Sequence, residues 1–251
     1  MHRIMAGKAG PARQADYNEP FTFAQAQPSE PMRSSIVRTA LALALSGLLP
    51  PAYAQTQTPA KSLNAQLLDF AKRGEEQRAR SVLDAGAAPD SRNRRGETAL
   101  YMFARDGRLV AVVLMLERGA NPNLAALDKT TPLMASAANG HAEAVRALID
   151  AGGDVHALDQ IAKTALLYAA AGGHVEAMDL LLERGIDVNA RYKHRLTALM
   201  WAAGSGATAS VKRLLERGAD PALEDDRGKT AADIARESRH AEVVELLSKP
   251  M

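Results

Sequence analysis

One interval governs this chain. Thr98, Thr131, Thr164, Thr197 and Thr230 stand 33 residues apart, and Ala65 holds the same phase one interval earlier. Each opens a similar stretch, as when TPLMASAANGHAEAVRALIDAGGDVH from Thr131 is answered by TALLYAAAGGHVEAMDLLLERGIDVN from Thr164. A period of this size predicts a stacked array rather than one globular core, because a single unit cannot bury its apolar face alone. Six units, starting at 65, 98, 131, 164, 197 and 230, are expected.

The residues within a unit explain its shape. A threonine hydroxyl caps a helix by accepting a backbone N–H that has no partner in the first turn. Pro132 then suits the first helical position, where its missing N–H costs nothing. Leu166, Ala169 and Ala170 follow at helical spacing, and alanine lets the next unit approach closely. Gly107, Gly140, Gly173 and Gly206 end these first helices, with Gly74 in the first unit. Val175, Met178, Leu181 and Leu182 mark an amphipathic second helix. It closes at Gly185, as its counterparts close at Gly86, Gly119, Gly152 and Gly218. Asn121, Asp154, Asp187 and Asp220 come next and suit the start of a projecting hairpin, since Asx side chains bond to turn backbone.

These landmarks, T-P-L, A-A, G-H, L-L and G-A-D-V-N, resemble the ankyrin repeat over residues 62–250. The resemblance implies an all-α solenoid of about six helix-turn-helix units with projecting β-hairpin loops, covering 62–251. The sequence departs from the family pattern in places. The position after T-P-L holds Tyr101, Met134, Leu167, Met200 and Asp233 instead of histidine. The hairpin glycine is kept at Gly96 and Gly228 but replaced by Lys129, Ala162 and Arg195, which predicts looser or differently shaped hairpins in the middle. The two end units are expected to act as caps with polar outer faces. Arg236, Glu237 and Ser238 supply one, and Lys72, Arg73, Glu75, Glu76, Arg78 and Arg80 the other.

The stretch MRSSIVRTALALALSGLLPPAYAQ, residues 32–55, reads as a secretory signal peptide. Arg33 and Arg38 form its basic start, Leu41 to Leu49 its apolar run, and Ala52-Tyr53-Ala54 its cleavage site before Gln55. The run falls short of the ~20 residues a membrane helix needs. An uncleaved anchor is the alternative, and a cytosolic chain with an irregular tail is another. Residues 1–31 show no repeat phase and are expected to be a non-native upstream extension or disordered. Residues 55–61 read as a linker. A periplasmic or secreted protein without stable membrane insertion is thus expected. Residues 1–54 hold five basic and three acidic side chains; taking these from totals of 31 and 29 leaves 26 of each. A balanced array offers no net basic field for nonspecific nucleic-acid binding. The absence of cysteine excludes disulfides and thiol catalysis.

His141, His174 and His240 recur at the Gly-His of the unit and read as turn residues joining two helices. Units stack about 8–10 Å apart, too far for two such imidazoles to reach one zinc at ~2 Å. Glu117, Glu183 and Glu216 recur at helix ends rather than as catalytic pairs. No nucleophile elbow or phosphate loop occurs, so neither enzyme, metal nor cofactor is expected.

In the family the resemblance names, partners bind the concave face made by hairpin tips and first helices. The tips preceding each threonine differ here. Arg94 and Arg95 make the first basic; Leu127 lies in the second; Leu158 and Ile161 lie in the third. Lys193 and Arg195 make the fourth basic, and Glu224, Asp225 and Asp226 make the fifth acidic. Exposed aliphatics with polar rims point to an interaction site, against hairpin self-packing as the plainer reading. Tyr168 and Trp201, four residues after their threonines, are candidate aromatic anchors, against packing between units. The expected function is a monomeric module that binds another protein. The resemblance adds a periplasmic accessory role, in some relatives tied to oxidative stress. An immunity or inhibitor protein that neutralises a toxin or enzyme is the alternative, and a structural spacer a third.

Overall fold

Threonine hydroxyls start five helices. Thr98, Thr131, Thr164, Thr197 and Thr230 each accept the backbone N–H three residues on, at 3.1, 3.2, 3.4, 3.3 and 3.3 Å. Each such bond satisfies one amide that the helix geometry leaves open. At Thr230 the cap is reciprocal, because the Asp233 carboxylate accepts the Thr230 N–H at 3.1 Å.

The computed structural model describes residues 61–248. The upstream segment, the signal peptide and residues 55–60 of the linker lie outside the described residues. Twelve α-helices follow in pairs: α1 Leu63–Arg73, α2 Glu76–Asp84, α3 Ala99–Arg105, α4 Leu109–Glu117, α5 Pro132–Ala138, α6 Ala142–Asp150, α7 Ala165–Gly172, α8 Val175–Leu182, α9 Ala198–Gly204, α10 Thr208–Glu216, α11 Ala231–Glu237 and α12 Ala241–Ser248. Among the described residues one 3-10 turn, Lys193–Arg195, precedes α9. The first unit starts earlier than its phase suggests: Ser62 caps α1, accepting the Ala65 amide at 3.2 Å. Residue 65 is alanine and has no cap to offer, so the helix extends back to the nearest hydroxyl.

The core is a continuous seam along the array. First helices pack on first helices in series (α1, α3, α5, α7, α9, α11), each backed by its own second helix. Ala169, Ala170, Ala202 and Ala203 are fully buried in that series, and their single methyl groups let the backbones approach. Leu166, Met178, Leu181 and Leu199 fill the space between layers. At about 25 cal/mol per Å2 of apolar surface, this seam supplies the main drive for stacking.

Polar bonds pin the units at a fixed pitch. The His141 Nε2 lies 3.1 Å from the Arg105 carbonyl of the preceding unit, and His174 and His240 repeat this on Ala138 and Gly204. Each imidazole therefore bridges two units, a role beyond the turn position expected for it. The ring sits where only glycine fits beneath it: a Cβ on Gly140 would come within 2.4 Å of His174. Arg118 pairs with Asp84 at 2.5 Å and Arg184 with Asp150 at 2.6 Å, one unit apart along the second helices. Asn123 and Asn189 each accept the amide of the next unit's Asp154 or Asp220 at 2.8 Å.

Candidate partner-binding face

Five loops project between a second helix and the next first helix. Asx turns start four of them, as expected: Asn121, Asp154, Asp187 and Asp220 accept the amide two residues on at 2.8–2.9 Å. Strands do not form among the described residues; a lone bridge pairs Arg92 with Thr98. Each tip instead closes with one amide-to-carbonyl bond four residues apart, from Asn93, Ala126, Asp159, Tyr192 and Asp225.

A second Asx position organises three of the tips. Asn93, Asp159 and Asp225, five residues before their threonines, each accept two amides of their own tip. In the sequence these residues pass for ordinary loop polarity. Asp225 is almost wholly buried. Burial alone would push its carboxyl up, but the Lys229 amide and the Arg227 guanidinium outweigh that and hold it below the usual carboxylate range.

The expectation of looser middle tips is corrected for two of three. Lys129 and Ala162 take φ of 63° and 64°, beside 75° and 69° at Gly96 and Gly228, and like those glycines donate to the carbonyl three residues back. The neighbouring tip imposes that shape. Leu127 N–H donates to the Arg95 carbonyl at 2.9 Å and Gln160 N–H to the Asp128 carbonyl at 3.1 Å. The Gln160 side chain adds a bond to the Leu127 carbonyl at 2.9 Å. The fourth tip does differ: His194 and Arg195 are both left-handed, at 60° and 58°, and wind the 3-10 turn.

Backbone so held leaves the tip side chains outward. Leu127 is 68% exposed, Leu158 52% and Ile161 56%, so the self-packing alternative fails for all three. Arg94, Arg95, Lys193 and Arg195 are exposed. Arg95 reaches Glu97 at 3.5 Å. The two aromatics are half-buried and meet through a residue the sequence did not single out. The Lys163 ammonium lies 3.9 Å from the Trp201 ring centre and 5.2 Å from that of Tyr168. The Tyr168 hydroxyl donates to Asp159 at 2.6 Å; burial first, then this bond, pushes its pKa well above the ordinary tyrosine value. Tyr168 is thus tied into the fold, while Trp201 also walls a cleft of about 220 Å3 with Leu196, Met200, Arg227 and Ile234.

Two further features escaped sequence reading. A cleft of about 440 Å3 at the first tip gathers Lys61, Lys72, Arg94 and Arg95 over Leu68 and Met102. On α4, Leu109, Val110 and Val113 are exposed at 38%, 64% and 38%. Their helix is apolar on every side, so periodicity could not distinguish the outward face. Among the described residues no three His, Asp or Glu side chains gather as a metal site. No helix there is long and apolar enough to cross a membrane.

Comparison with known families returns ankyrin repeats over residues 67–235. The description "Ankyrin repeats (3 copies)" matches residues 67–159 and 110–192, and "Ankyrin repeats (many copies)" matches residues 181–235. No curated protein matches the chain.

Proposed function

Because the chain belongs to the ankyrin-repeat family, whose repeats are a protein–protein interaction module, we propose that it is a non-enzymatic protein that binds another protein through its tips and first helices. One observation carries this reading: Leu127, Leu158 and Ile161 stand exposed on tips whose turns are closed by hydrogen bonds. Aliphatic side chains held rigidly in water gain nothing for folding. They gain on association, by about 25 cal/mol per Å2 covered, and rigidity removes part of the ordering cost of binding. Trp201 adds an aromatic wall beside them.

The N-terminal sequence supports a periplasmic setting, with the chain starting at Gln55 after removal of the signal peptide. In that compartment the protein acts as an accessory factor for its partner. Mass spectrometry of the N-terminus from a periplasmic fraction tests the location; an intact Met1 or Met32 end would sink it.

The binding face is tested by crosslinked capture with the full chain beside a variant carrying Leu127→Ser, Leu158→Ser, Ile161→Ser and Trp201→Ala. Circular dichroism first establishes equal helicity. A protein bound by the parent and lost by the variant supports the face named here. Equal capture by both would move the site elsewhere, with the α4 patch first in line.

A further inference from the structure

Resting on that reading of the face, we infer that the partner offers an acidic segment carrying aliphatic side chains, laid across tips one to four.

The charge on these tips is sorted by direction. Two of their acids are drawn inward, Glu97 and Asp159 being buried, while Asp128 is exposed but bonded to the Thr130 amide. Their bases point out. Among the described residues, Lys72, Arg94, Lys163, Lys193 and Arg195 have no carboxylate within ion-pair distance; on the second helices Arg118, Arg184, Arg213 and Arg217 are paired, and Arg80, Arg146 and Lys212 are not. A chain balanced in charge after residue 54 therefore turns a cationic edge toward its groove. The edge stops at the fifth tip, where Glu224 and Asp226 are exposed, so the acidic segment ends there.

Lys163 is the central contact. Two rings hold its ammonium in place without neutralising it, so an arriving carboxylate meets a positioned charge over an apolar floor. Leu158 and Ile161, exposed on the same tip, receive aliphatic groups. The same geometry disfavours the other large anions, nucleic acids. Single strands bind by stacking bases on open aromatic faces, and Lys163 covers the Trp201 face. Leu127, Leu158 and Ile161 have no role against a phosphate backbone.

Selection of peptides from a random display library on the immobilised full chain reads the partner class directly. A charge-reversed chain (Arg94→Glu, Lys163→Glu, Lys193→Glu) is run beside it, with Lys163→Gln as a milder variant should the triple variant misfold. Enriched peptides should carry an excess of Asp and Glu interleaved with aliphatics. Measured by fluorescence anisotropy, they should bind the variant at least about tenfold more weakly, and the parent more weakly as salt rises. A labelled single-stranded oligonucleotide is the second probe. Neutral or basic enriched peptides, no enrichment, or oligonucleotide binding that the same reversal abolishes would each overturn the inference. Neutral peptides that are lost on the Leu127, Leu158 and Ile161 serine variant would leave the binding face standing and remove only its acidic partner. Peptides insensitive to both variants would remove both.

Discussion

The imidazole bridge is missing where Arg108 or Ala207 takes the histidine's position, and restoring it at the second is a direct test of how these repeats are held. Ala207 occupies the position of His141, His174 and His240. Its backbone, at φ −77° and ψ 72°, matches that of His174 at −87° and 75°. The repeat would place a side chain from residue 207 on the Ala171 carbonyl. Beneath it lies Gly173, whose added Cβ would meet only the Ala207 methyl, at 4.0 Å. Space for a ring is therefore present. Ala207→His adds one hydrogen bond between neutral groups, about 0.5–1.5 kcal/mol, against roughly 0.5–1 kcal/mol for ordering the side chain. Covering the ring carbons adds roughly 0.8 kcal/mol, about that of one buried CH2 group, so a net gain of about 1 kcal/mol is expected. For a domain of this size that raises Tm by roughly 2–4 °C, and urea unfolding should show a higher midpoint with unchanged slope. The mechanism is checked by a double-mutant cycle with Gly173→Ala. In the parent that substitution costs only the strain of a left-handed residue, about 1–2 kcal/mol. Beside the introduced imidazole it should cost at least about 1 kcal/mol more, because a Cβ at the equivalent Gly140 would lie 2.4 Å from His174. Equal cost in both backgrounds would show that the imidazole never reached the carbonyl, and the bridge would lose its standing as a source of stability.

Other outcomes follow from the same structure. Ser210 is fully buried with an unpartnered hydroxyl among the described residues, where other repeats have Ala111, Ala144 and Ala177. Ser210→Ala should stabilise by about 1 kcal/mol, and a lower urea midpoint would refute this. Ala162 is left-handed at φ 64°, so Ala162→Gly should also stabilise by about 1 kcal/mol; hydrogen exchange at the third tip and a melting curve read it, and a loss of stability would count against the strain. Burial, as the largest cause, raises the Tyr101, Tyr168 and Tyr192 hydroxyls above their ordinary pKa. Their contribution is complete below the unfolded tyrosine value near pH ~10 and is lost as pH rises through the folded values. Stability should thus fall above that pH, with tyrosinate absorbance lagging behind free tyrosine; absorbance that appears near pH ~10 while helicity is intact would contradict it.

Much of this was legible because the repeat states each rule several times. Five threonines in phase announce five caps, and one alanine in phase announces none, so no repeat points to the cap that Ser62 gives α1 three residues earlier. The tips were legible in composition but not in shape. A missing glycine at Lys129 or Ala162 reads as relaxed geometry, yet the bonds from neighbouring tips impose the left-handed turn regardless. Contacts between units were the hardest to see. The histidine that bonds a carbonyl 36 residues back and the lysine over Trp201 depend on the pitch of the stack. The phase of a sequence fixes which residues lie on adjacent units, but not how far apart those units stand.

The bonds from Leu127 to Arg95 and from Gln160 to Asp128 run between main chains, or from an amide side chain to one. They specify where each tip stands while leaving Leu127 and Ile161 outside the folding problem. Recognition and architecture are thereby written on separate atoms. A lineage carrying this array can exchange one tip residue at a time, sampling new partners without passing through an unfolded intermediate form.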